Sequence, residues 1–95
     1  MPPQSEPLPA VTRGEKAGRL AANEMLKTAS PETGGLQGVM RRLEAVEIVV
    51  AEGQKQAGVR AADVQSWCIG FQAGIGFELR MHIRHMRMAD FRPAQ

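Results

Sequence analysis

The sequence predicts an all-α fold: a small bundle of about three helices, with a long C-terminal helix and a disordered, proline-rich N-terminal tail. Three observations predict it. Apolar residues recur at helical spacing through most of the chain, glycine and proline cluster at only a few points, and no stretch alternates as a half-buried strand would. The chain has 95 residues, enough for one small domain with a limited core.

Residues 1–11 hold four prolines within the first ten positions and read as a flexible or extended tail, because proline cannot donate to a helix or sheet. Thr12 followed by Glu15 has the capping-box pattern and predicts a first helix over about 13–28, with Ala17, Leu20, Ala21 and Met25 on its packed side. Ser30-Pro31 is a second start signal, weakened by Gly34 and Gly35. Leu36, Val39, Met40, Leu43, Val46 and Val50 then carry a helix over about 36–57, closed by Gly58. Ile48 and Val49 fall outside that stripe, so either a second partner covers them or residues 46–51 form a strand; helix is preferred because the flanking residues carry no strand alternation.

The third helix is expected over about 61–89. Val64, Trp67, Cys68, Phe71, Ile75 and Leu79 line one face, and no breaker intervenes before Pro93. Gly70, Gly74 and Gly76 each cost roughly 1 kcal/mol relative to alanine, so close backbone contact with another helix is expected there. Trp67, Gly70, Phe71, Gly74 and Ile75 are accordingly assigned to helix packing or to a dimer contact. Gly70 and Gly74 form a G-x-x-x-G, but Gln72, Glu78 and Arg80 rule out insertion of this segment in a membrane. The apolar stripes of the second and third helices are expected to pair as an antiparallel hairpin. The alanine-rich first helix would complete the bundle, leaving the long helix overhanging beyond about Leu79.

Composition narrows the function. Residues 1–58 carry seven acidic and seven basic side chains, whereas 59–95 carry five arginines against Asp63, Glu78 and Asp90. The lone Cys68 excludes an intrachain disulfide and fits a reducing, cytoplasmic setting. No nucleotide loop, catalytic triad or catalytic carboxylate pair can be assembled, so the expectation is a protein that is not an enzyme and needs no cofactor. No apolar run is long enough for a membrane span.

The chemistry gathers near the C-terminus. Arg80, Arg84 and Arg87 fall within roughly 60° of one another on a helix, forming a guanidinium ridge suited to carboxylates or phosphates. Phe77, Met81, Met88 and Phe91 would add apolar contact area for a partner. Glu78, His82 and His85, at i, i+4 and i+7, are chemically competent for a metal. A single straight helix encloses an ion poorly, however, and an ion pair between Glu78 and His82 is the preferred reading. Glu47 is the candidate for a further ligand from across the bundle.

These features predict a non-catalytic interaction protein that binds, and inhibits or bridges, another protein or nucleoprotein complex. Phage and plasmid inhibitors, anti-CRISPR proteins among them, are the background class for small chains of this kind, with no motif selecting one. The alternative is direct nucleic-acid binding through the arginine ridge. A homodimer or a docked partner is expected to cover the overhang.

Overall fold

The computed structural model describes residues 8–90, with side chains through Met86. Three helices fill them: α1, Ala10–Lys27; α2, Gly35–Gln56; and α3, Ala61–Asp90. A single 3-10 turn, Pro31–Thr33, lies between α1 and α2. The all-α expectation holds, and α3 runs unbroken through Phe77–Met86. The first seven residues of the expected tail lie outside the described residues.

Helix α1 begins one turn earlier than its capping signal predicts. Pro9 occupies the N-cap position, and its carbonyl accepts the Arg13 amide at 3.0 Å. Thr12 and Glu15 therefore sit inside the helix rather than capping it, and Ala10 and Val11 belong to it rather than to the tail. The extra turn has a packing role, since it carries Val11 onto α3. Ala17, Ala21 and Met25 of the expected side lie against the core, but Leu20 does not, and the centre of the packed face is built from smaller residues. Gly14, Gly18 and Ala22 are buried, whereas Leu20 is 66% exposed.

At the Ser30-Pro31 signal the chain makes only the short 3-10 turn, stabilised by reciprocal Ser30–Thr33 capping contacts. Gly34, at φ +92°, then resets the direction so that α2 starts at Gly35. The other end of α2 closes as its glycine predicts. Gly58, at φ +86°, donates to the Lys55 carbonyl at 3.1 Å, and Val59 donates to that of Gln54 at 3.0 Å, the paired bonds of a Schellman motif.

The tightest helix pair is α1 with α3, not the α2–α3 hairpin. The two run parallel: Gly70 lies against Val11 and Glu15, Gly74 against Glu15 and Arg19, and the Arg19 guanidinium reaches Phe77. Each helix contributes two glycines four residues apart. A Cβ at Gly14 or Gly18 would overlap the Trp67 or Phe71 carbonyl, and one at Gly70 or Gly74 would overlap that of Val11 or Glu15. The glycine Cα–H groups point at these oxygens, a contact worth about 0.5–1 kcal/mol each. Larger residues would hold the backbones apart, which explains the glycines at 70 and 74.

Helix α2 runs antiparallel to α3 as expected. Glu47 lies beside Gln72, and Leu36 and Met40 lie near Leu79 and Ile83. Its Val39 and Leu43 are fully buried against Ala22, Trp67, Phe71 and Ile75. Trp67 and Phe71, one turn apart, stack with ring centroids 4.9 Å apart. The overhang of α3 is shorter than predicted. His85 still lies beside Lys27, and His82 and Met86 still line a groove with Ser30 and Leu36, so the rest of the bundle accompanies α3 at least as far as Met86.

Two kinds of glycine give opposite expectations for unfolding by urea, followed by circular dichroism. Gly18→Ala or Gly70→Ala should lower stability by about 1–3 kcal/mol, because a Cβ collides with backbone that cannot yield cheaply. Gly53→Ala, where a Cβ meets nothing within 4 Å, should raise it by up to about 1 kcal/mol.

Candidate functional site

The distal part of α3 is where charged, aromatic and imidazole groups come together. Its side chains divide among three directions, because α1 and α2 pack on adjacent sides and the third side is open. Arg80 and Arg84 occupy the open side and are exposed. Three ion pairs occur among the described residues, Lys27–Glu24, Lys55–Glu52 and Arg60–Asp63, and none engages these arginines. The backbone of α3 carries Arg87 and Met88 onward, but their side chains, and Phe91 altogether, lie outside the described residues.

Facing α1 is a groove whose floor includes Phe77, Met81 and His85, with Arg19, Asn23 and Lys27 on the opposite wall. Arg19 Cζ stands 4.2 Å from the centroid of the Phe77 ring, a cation–π contact. Phe77, 39% exposed, is therefore shared between the surface and α1 rather than standing free beside the arginines. Met81 is half-buried in the same groove and belongs to its lining, not to the guanidinium ridge. The three α1 residues carry no signal in the sequence, because only the parallel α1–α3 register brings them here.

Two shallower grooves lie on the side toward α2 and the α1–α2 connection. One lies between His82, Met86 and the connection from α1 to α2, the other between Leu79 and Ile83 of α3 and Leu36 and Met40 of α2. Met86 is 50% exposed and Ile83 38%, so apolar area flanks the cations.

Glu78, His82 and His85 line the α1-facing groove together. Among the described residues no three His, Cys, Asp or Glu side chains converge on a point that could hold a metal ion. The expected Glu78–His82 ion pair is not formed either. Consecutive turns of a straight helix space these groups along its axis instead of around a centre. Glu47 does not reach them. Its Oε2 accepts a hydrogen bond from Gln72 Nε2 at 3.0 Å, nearer the middle of the bundle.

Trp67, Gly70, Phe71, Gly74 and Ile75 are all buried within the chain. The two glycines meet α1, and the three large side chains lie in the core, so this set packs helices and offers no surface to a second copy. Beside them Cys68 is partly covered. Burial pushes its thiol pKa up, and the nearby Glu47 charge and a hydrogen bond to that carboxylate push it the same way, against a smaller opposing effect of Lys55.

Comparison with known protein families, curated proteins and solved structures finds no match to the chain.

The raised Cys68 pKa sets an expectation for alkylation. Near pH 8 a raised pKa means a smaller thiolate fraction, so iodoacetamide should modify the folded chain several-fold more slowly than the urea-unfolded chain. Glu47→Gln removes the charge that disfavours the thiolate and should speed the folded-state reaction. Equal rates in the folded and unfolded chains would contradict this account.

Proposed function

We propose that the protein is a non-catalytic helical interaction protein, which docks another macromolecule on the distal part of α3 and thereby blocks or bridges a larger complex. One observation carries the reading. Arg84, with Arg80 beside it, is an exposed cation engaged in none of the described ion pairs, and half-exposed apolar side chains flank it. Exposed cations outside the described ion pairs favour an acidic or phosphate-bearing target, and Phe77 and Met86 supply surface that gains from being covered. The α1-facing groove adds Asn23 and Lys27 as polar contacts that give orientation.

A protein target is preferred over nucleic acid because the surface mixes sulfur, aromatic and aliphatic groups with few cations. Glu78 lies within it as well. The basic excess is also modest, a formal net charge of +2 for the whole chain.

Affinity capture with the tagged chain tests this reading. The Arg84→Ala/Arg87→Ala variant should recover its partner with affinity lower by about tenfold or more, equivalent to ~1.4 kcal/mol. Undiminished recovery would remove the distal surface from the interaction. Salt distinguishes the target: a nucleic acid should weaken by about one log unit per log unit of salt for each phosphate contacted, and a protein held by apolar anchors should weaken much less.

A further inference from the structure

Gly76 is the glycine of α3 that the intramolecular packing leaves unexplained. Gly70 and Gly74 are backed against α1, but a Cβ at Gly76 would meet nothing within 4 Å. A glycine inside a helix costs roughly 1 kcal/mol relative to alanine, and here no contact within the chain offsets it. Exposed isoleucines lie along the helix on either side of it. Gly76 lies midway between Ile69 and Ile83, seven positions from each (76−69 = 7, 83−76 = 7). Seven residues are close to two full turns, with a drift of about 20°, so the three share one strip of α3. Ile69 is 57% exposed and Ile83 38%.

We infer that this strip binds a second copy of the chain, the two α3 helices crossing antiparallel at Gly76. A two-fold axis through Gly76 sets each position the same number of residues before it against one the same number after it. Ile83 then packs on Ile69 of the other copy, in both directions, and the absent side chain at the crossing lets the backbones approach.

Charge selects the same arrangement. Arg80 and Gln72 stand four residues to either side of Gly76, so each Arg80 meets Gln72 of the other copy. The Gln72 amide donates to Glu47 Oε2 at 3.0 Å, which places a carboxylate beside the arriving guanidinium. Neither Arg80 nor Glu47 takes part in an ion pair among the described residues. The crossing brings these opposite charges together twice. A parallel pairing on this strip would instead set Arg80 against its own copy, like charge on like.

Self-association goes beyond the partner reading and is separable from it. Met81 and His85 lie on roughly the opposite side of α3 from Gly76, so the α1-facing groove stays open in the dimer. Arg80 is assigned to the two-fold contact, leaving Arg84 at the distal surface.

Sedimentation velocity on the full chain, over a concentration series, should show a monomer–dimer equilibrium. Gly76→Glu places two carboxylates at the axis and should raise the dimer dissociation constant by at least tenfold. Its circular dichroism should match the parent, because the position is open within each copy. Crosslinking fixes the geometry. In a Cys68→Ser background, Gly76→Cys should form a covalent dimer under mild oxidation. Ile69→Cys should link to Ile83→Cys in a mixture of the two variants, and not to itself. A strictly monomeric chain, a dimer indifferent to Gly76→Glu, or self-linking through Ile69→Cys would each overturn the inference.

Discussion

Everything in this fold is referred to the backbone contact between α1 and α3. Four glycines, two on each helix, give up their side chains so that Cα–H groups of one helix meet carbonyl oxygens of the other. The contact suits a chain with one Trp, three Phe and no Tyr, since it gains close-range dispersion without requiring large side chains. It also fixes orientation. Once Gly14 and Gly18 lie on Trp67 and Phe71, the parallel register is set, and the stacked rings are held where Val39 and Leu43 of α2 can cover them. The large side chains complete a geometry that the small ones establish.

From that register follows the sorting of side chains along α3. One side is occupied by α1 and the neighbouring side by α2, and among the described side chains the remainder is largely exposed. Arg80, Arg84 and the Ile69–Gly76–Ile83 strip lie on the exposed part, Ile83 also edging the groove with α2, and the imidazoles fall on or beside the seam with α1. This gives the distal end two different surfaces. One is a polar groove with walls from two helices, and the other is an exposed strip of α3 edged by α2.

What could be read from the residues, and what could not, divides along the same line. The extents of α2 and α3, and the close of α2 at Gly58, were legible because apolar spacing and a left-handed glycine act locally. Helix α1 was legible as a helix, with Ala17, Ala21 and Met25 on its packed side, but the glycines at the centre of that face were not. Periodicity of apolar residues scores Leu20 and gives nothing to Gly14 or Gly18, although the glycines make the contact and Leu20 faces solvent. Thr12 and Glu15 formed a sound local cap signal that tertiary contact overrode, because Val11 is needed against Gly70. Of the distal surface, the exposed positions of Arg80 and Arg84 follow from helical spacing alone. The wall built by Arg19, Asn23 and Lys27 depends on the α1–α3 register, and no property of those residues encodes it.

The interlock has a consequence for association as well as for folding. Ordering a flexible segment when a complex forms opposes binding, and a surface already held in place avoids that cost. Gly70 and Gly74 anchor the same stretch of α3 that carries Ile69 and Gly76, so the outer strip is presented on a backbone pinned from behind. A second helix arriving there meets a fixed row of side chains with a gap at its centre. Gly70 and Gly74 obey one rule, which the inferred second copy would extend to Gly76. Where a neighbouring backbone lies against the helix, the side chain is absent; Gly76 has the same absence and, within its own chain, no neighbour.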